Sequence, residues 1–264
     1  VAIERVNDAV RRILRQKYRL GLFENPFPDT TLASQIGLPK NRAVAKQAVR
    51  ESLVLLRNDN NALPIDKKTN KIVVVGEHAN NAGLQSGGWT IWWQGIHENY
   101  QGATTILDGI KSKSQGLVVY DELAKEKYFD ADLAIVVVGE RPYAEMLGDI
   151  GDGNGNHRLT LSDQHQKYID TYANNGVKTI VILVSGRPLV TTNQIKKSDA
   201  FIAAWLPGSE GEGIAEVLFG DYNFKGKLPH SWPKSIEDFK GKYGPNFWDK
   251  SIDPLYEFGF GLSY

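Results

Sequence analysis

Unbroken apolar runs, many of them β-branched, recur along the chain at 72–75, 117–120, 133–138, 179–184 and 201–204. Runs this short and this continuously apolar fit strands covered on both faces, as in a parallel sheet, better than strands with one wet face. Helical spacing fills the intervals at 42–56, 105–113, 162–174, 188–197 and 210–219. The alternation of strand and helix predicts one doubly wound α/β domain. Ser209 followed by Glu212 has capping-box spacing for the last of these helices.

The chain on either side reads differently. Ile3, Val6, Val10, Ile13 and Leu14 fall on one face of a helix with a basic opposite face, and Gly21 ends it. Residues 22–29 contain Pro26 and Pro28 and exclude regular structure. Residues 1–21 are therefore expected to be either the last helix of a preceding domain or an arm packed on their own domain, with 22–39 as linker. The sheet domain is expected over 40–220. The stretch 221–264, rich in Gly, Pro and aromatics with little periodicity, predicts an ordered segment wrapping that same domain.

Composition narrows the chemistry. The 264 residues suffice for a well-buried core, and 31 basic against 31 acidic side chains leave no formal net charge. That balance offers no case for binding nucleic acid or an anionic membrane. Cysteine is absent, which removes disulfides, thiolate metal sites and cysteine nucleophiles together. No apolar run approaches the roughly 20 residues needed to span a bilayer. The chain opens on Val1 and its only methionine is Met146, so an upstream segment is expected.

Three places carry candidate chemistry. The first is the loop that follows the run 133–138, with Glu140, Glu145, Asp149 and Asp152. Acids at the carboxyl end of a buried parallel strand stand where open α/β sheets bind ligands, and a glycosidase needs two carboxyls flanking the scissile bond. The same four acids also read as a solvated Gly-rich loop, and spacing does not select among them. The second is the segment 86–95, where Gly87 and Gly88 precede Trp89, Trp92 and Trp93. Indoles framed by glycines without periodicity suit the flat apolar faces of sugar rings, but equally a small core or a protein interface. Neither a dinucleotide pattern nor a Walker loop is present, which weakens a nucleotide-binding reading.

The third is 149–156, rich in Gly, Asp and Asn. Its spacing fails the EF-hand pattern, because Gly151, Gly153 and Thr160 fall where ligands belong. The histidines at 78, 97, 157, 165 and 230 show no paired metal spacing and read as surface or core residues. Ser185-Gly186-Arg187-Pro188 is not a nucleophile elbow and predicts a strand-to-helix turn with Pro188 near the first helical position.

Taken together these segments resemble glycoside hydrolase family 3, in its β-glucan exohydrolase and β-glucosidase branch. The resemblance is carried by GERPYAEMLGD at 139–149, GGWTIWWQG at 87–95, WLPGSEG at 205–211, FGD at 219–221, GKLP at 226–229 and the ending DPLY with GFGL. The opening, with RRIL at 11–14 and GLFENP at 21–26, resembles the end of the family's first domain and its linker. The resemblance implies a mostly parallel six-stranded sheet sandwiched between helices, standing after a (β/α)8 barrel that holds the nucleophilic aspartate. It implies Glu145 as the catalytic acid/base and Trp89 and Trp93 as the substrate-binding tryptophans of this domain. The nucleophile has no counterpart here. Where the family runs more directly from Gly-Asp to Leu-Thr-Leu, this chain inserts a Gly- and Asn-rich stretch, which bears on substrate length.

The expected partners are a β-glucan or β-glucoside and the N-terminal barrel, in cis or as a separate chain, with no nucleic acid and no membrane span. No cofactor or metal is expected, and family resemblance implies a secreted or periplasmic location. The alternative is a carbohydrate-binding or scaffold module without turnover.

Overall fold

The computed structural model describes residues 1–148, 159–239 and 253–264. Asp149, Asp152, the rest of the segment weighed for calcium at 149–156, and His157 lie outside the described residues. The chain divides into two compact units, Val1–Asn41 and Arg42–Tyr264.

The first unit is built on helix α1 (Ile3–Arg19). Its apolar stripe of Ile3, Val6, Val10, Ile13 and Leu14 is exposed along its length. The helix stops as the sequence requires, with Gly21 in the left-handed region at φ 66°. A 3₁₀ turn at Thr30–Gln35 is capped by Asp29, whose carboxylate accepts from the Thr31 amide at 3.0 Å.

The second unit is a three-layer sandwich. Its helices are α2 (Pro39–Ser52, which begins in the first unit), α3 (Ala82–Ser86), α4 (Ile106–Lys113), α5 (Asp163–Ala173), α6 (Thr192–Lys197) and α7 (Gly211–Leu218). The strands are β1 (Val54–Asn58), β2 (Lys71–Val75), β3 (Leu117–Asp121), β4 (Leu133–Gly139), β5 (Lys178–Val184) and β6 (Ala200–Trp205). They form one six-stranded sheet in the order β1-β6-β5-β4-β2-β3, in which only β1 runs antiparallel to its neighbour. The expected six-stranded, mostly parallel α/β sheet is what forms.

Alternate strand residues enter two separate cores. Ile135, Val137, Ile180 and Ile182 pack beneath α2, α4 and α7, whereas Val136, Val138, Val181 and Leu183 pack against α5, α6 and the tail residues Leu228 and Trp232. All seven residues of β4 are buried, which explains why its sequence is continuously apolar. Each fully buried Val, Leu or Ile contributes on the order of 1.5–3 kcal/mol. In the described parts of 221–264, Trp232 is wholly buried with its indole N–H on Thr191 Oγ1 at 3.2 Å, and Leu262 bridges to Leu55.

The structure corrects three local expectations. The helix predicted over 42–56 ends at Ser52, and Val54–Asn58 is strand β1. Leu53 to Leu56 extend the helical apolar spacing, but all four are buried and β1 completes the sheet edge. The Ser209–Glu212 capping box does not form: Glu210 stands at the N-cap of α7, and the Ser209 hydroxyl donates to Glu210 Oε1 instead. A reciprocal box is made by Thr105 and Asp108 at α4. Pro188 does not open a helix either, since α6 begins at Thr192.

Three helices of one layer are tied by a single carboxylate. Glu216 on α7 pairs with Lys46 at 3.0 Å and Arg50 at 2.8 Å from α2, and with Lys113 at 3.5 Å from α4. Burial alone would raise this carboxyl, but Lys46, Lys113 and Arg50 more than offset it and hold the group below its ordinary value. A carboxylate depressed in the folded state contributes stability above its unfolded pKa and loses it as pH falls through the folded one. Glu216→Gln is therefore expected to lower stability at pH 7 by about 1–3 kcal/mol and to flatten the fall in stability below about pH 4.5. Urea melts of both proteins at pH 7, 5 and 4 measure it, and parallel stability–pH curves would remove the ion cluster as the cause.

Candidate active site

The parallel strands β2, β4, β5 and β6 all end on the same edge of the sheet, and the loops that leave them meet there. The tryptophan loop follows the α3 region after β2, and the acidic loop follows β4 directly. The turn Ser185–Arg187 follows β5. Register fixes their meeting, because Gly139 lies opposite Val184 and the Glu140 amide donates to the Val184 carbonyl at 3.0 Å. Glycine is required at position 139, where a Cβ would collide with that same carbonyl oxygen.

The tryptophan loop is a tight closed ring. The Trp89 amide donates to the Trp93 carbonyl at 2.9 Å, and the Trp92 amide to the Thr90 carbonyl at 2.7 Å. Closure puts Trp89 and Ile91 in the left-handed region, at φ 60° and 63°. For a β-branched residue such as Ile91 that conformation is strained. Trp89 and Trp92 are 69% and 67% exposed and Trp93 39%, so none of the three forms a core.

This ring is docked on the acidic loop by one side chain. Gln94 Oε1 accepts from the Ala144 amide at 2.7 Å, and Gln94 Nε2 donates to the Ala144 carbonyl at 3.2 Å. A Cβ at Gly88 would strike the Tyr143 carbonyl oxygen, so only glycine permits this approach. The residue after Ala144 is Glu145, which opens a short 3₁₀ turn, Glu145–Gly148, with φ 51°. Its side chain is exposed. The structure thus brings the loops of Trp89, Trp93 and Glu145 together, with all three side chains on the solvent side.

Glu140 differs from Glu145 in every respect. Its carboxylate is buried and held by Arg187, through Nε at 2.9 Å and Nη2 at 2.8 Å on one oxygen, while the Tyr143 hydroxyl donates to the other at 3.4 Å. Burial raises the Glu140 carboxyl, against the pull of the Arg187 guanidinium and the Tyr143 hydroxyl. Tyr143 is itself pushed up to about 12 by burial, so it remains a donor. Arg187 also lies 4.4 Å from the centre of the Tyr143 ring and donates to the Gly148 carbonyl at 2.6 Å. One guanidinium therefore grips the acidic loop at Glu140, Tyr143 and Gly148. A cleft of about 250 Å³ between the two loops is lined by Gly87, Gly88, Glu140, Pro142, Tyr143 and Leu206.

Of the four acids weighed from sequence, Glu140 has its oxygens occupied, Glu145 is exposed to solvent next in sequence to the Ala144 that Gln94 holds, and Asp149 and Asp152 lie outside the described residues. Gln94 and Arg187 carried no signal in the sequence, since their partners are reached only through the sheet register. Ser185 is buried and donates to the Arg187 carbonyl at 2.8 Å, shaping the turn.

Known proteins resemble this chain in sequence and fold. The sequence profile of the glycosyl hydrolase family 3 C-terminal domain matches residues 53–264. The chain is 32% identical over 286 aligned residues to the lysosomal beta glucosidase of Dictyostelium discoideum, covering 98% of this chain and 34% of that protein. It is 28% identical to the periplasmic beta-glucosidase of Salmonella typhimurium, covering 100% of this chain and 41% of that protein. Among solved structures, the exo-1,3/1,4-beta-glucanase ExoP of a Pseudoalteromonas species superposes with a TM-score of 0.87 at 38% identity, covering all of this chain and 34% of that one. The chain thus spans between about a third and two fifths of the length of these relatives. A profile match across almost the whole sandwich and a closely superposing homologue lead to one assignment: the chain belongs to glycosyl hydrolase family 3, whose C-terminal domain it carries.

Proposed function

We propose that this chain supplies the proton donor and the aromatic platform of a retaining, exo-acting β-glucosidase or β-glucan glucohydrolase that releases glucose from non-reducing ends. The observation that carries this reading is the reciprocal pair of hydrogen bonds between Gln94 and the Ala144 backbone, which seats the tryptophan loop on the residue before Glu145. A sugar stacked on Trp89 and clamped by Trp93 would then lie next to a carboxyl that water reaches freely.

In this reading Glu145 gives its proton to the glycosidic oxygen as the bond to the anomeric carbon breaks, and an aspartate of an N-terminal (β/α)8 barrel forms the glycosyl-enzyme. Glu145, now a carboxylate, takes a proton from water as that water attacks the anomeric carbon and frees the aspartate. Residues 1–21 would be the last helix of that barrel, 22–39 the linker, and 40–264 the donor domain with its wrapping segment. The names of the Dictyostelium and Salmonella relatives favour a secreted or periplasmic setting. Among the described residues no helix is long and apolar enough to cross a membrane.

The test joins this chain to a family 3 barrel domain and follows an aryl β-glucoside by proton NMR. Hydrolysis with retained β configuration, absent from either part alone, is expected. Saturable quenching of tryptophan fluorescence by laminari- or cello-oligosaccharides, with no turnover in the joined protein, would leave a sugar-binding module instead.

A further inference from the structure

A second cluster of chemically capable side chains lies behind the acidic loop and takes no part in the proposed glycoside chemistry. Glu77 and His78 open the 3₁₀ turn Glu77–Asn80 at the end of β2, and His165 lies in the first turn of α5. Among the described residues these three are the one group of its kind, each offering a ligand atom within 4.8 Å of the other two. The imidazoles meet edge to face, with ring centres 5.4 Å apart.

The hydrogen bonding fixes which nitrogen of His78 is free. His78 Nε2 stands 3.0 Å from the Glu140 carbonyl oxygen, which only accepts, so Nε2 carries the proton. His78 Nδ1 is then a bare lone pair, and it is buried with no hydrogen-bond partner. His165 Nδ1 is buried and unpartnered as well. Two buried ring nitrogens without a partner, on the two histidines of a cluster whose ligand atoms lie within 4.8 Å of one another, are costly unless something satisfies them.

We propose that Glu77, His78 and His165 bind a divalent transition-metal ion of the zinc type. The ligand set, two imidazoles and one carboxylate, is that of a three-residue zinc centre with a fourth position left for water. Magnesium and calcium prefer all-oxygen shells and are not favoured here. The Nε2–H of His78 on a backbone carbonyl is the outer-shell bond that orients a ligating imidazole.

Both histidines are held in place. Gln85 donates to the His78 carbonyl at 3.1 Å, and the Ser162 hydroxyl accepts from the His165 amide at 3.2 Å. Bonds of about 2.0–2.1 Å to one ion would draw the three ligand atoms to roughly 3.4 Å apart, a small inward rotation of the side chains. A cavity of about 730 Å³, lined by Glu77, Arg141, Asp163 and His165 among others, gives an ion its route in. Arg141 works against a cation there, whereas Asp163 and Glu77 favour it.

The experiment uses the untagged 264-residue chain, stripped with chelator and exchanged into clean buffer, and titrates it with zinc chloride by calorimetry. One equivalent of zinc is expected to bind, with Glu77→Gln weakening it at least tenfold and His165→Phe abolishing it, while magnesium and calcium give no competing heat. Cobalt is expected to give the visible absorption of a tetrahedral site. Far-ultraviolet circular dichroism checks the fold of each variant, and if His165→Phe does not fold, Glu77→Gln and the cobalt spectrum decide. The proposal is overturned by no zinc uptake, by uptake equal in the variants, or by a crystal grown with zinc that holds only a water between the three side chains.

Discussion

Glu145→Gln, in the enzyme assembled with its barrel, is expected to lower kcat/KM on oligosaccharide β-glucosides by about 10²–10⁴-fold, the usual contribution of a general acid. The amide keeps the size and shape of the side chain but has no acidic proton to give. The exposed setting of Glu145 at the head of a 3₁₀ turn makes a folding effect small. On a dinitrophenyl β-glucoside, whose leaving group departs without a proton, the release of the phenol is expected to stay near the unmodified rate. Hydrolysis of the glycosyl-enzyme should become the slow step, visible as a burst. Equal activity of Glu145→Gln on both substrates would take the donor role away from this residue.

The second large effect is expected at Arg187. Removing one partner of a buried, hydrogen-bonded ion pair leaves the other charge uncompensated and costs about 3–5 kcal/mol. Arg187→Met would strand Glu140, whose side chain is only 10% exposed, and would release Tyr143 and Gly148 at the same time. The double variant Arg187→Met with Glu140→Gln is expected to recover much of the stability, because no buried charge remains. It is not expected to recover activity, since the grip on Gly148 is still lost. A misplacement of about 1 Å in a catalytic group can cost on the order of 10²-fold. Thermal melts and kcat, measured well below the melting temperature, separate the two effects. Recovery of stability and kcat together would assign Arg187 to the fold alone.

How much of this was legible in the sequence depended on the range of the interaction involved. Strand β4 announced itself because every one of its residues is buried, so its sequence had no reason to alternate. Strand β1 did not, because Leu53 to Leu56 suit a helix face as well as a buried strand, and only pairing with β6 decides between them. Helix α3 has five residues, too few for a period to show. In the candidate site, the tryptophans and Glu145 stood out through composition and family resemblance. Arg187 and Gln94 were invisible because each acts across the sheet edge on a loop distant in sequence. The pairing of His78 with His165 was hidden for the same reason, since no short spacing links a residue after β2 to one at the start of α5.

The Gln94 amide matches the Ala144 peptide donor for acceptor and acceptor for donor, which a carboxylate in its place could not do. That match joins the tryptophan loop to the acidic loop as a single tile with one rivet. If the proposed function holds, side chains at 89 to 93 can vary with the sugar while the backbone that carries Glu145 stays put. On the proposed function, a redesign aimed at a different glycoside would exchange the exposed indoles and leave the rivet alone.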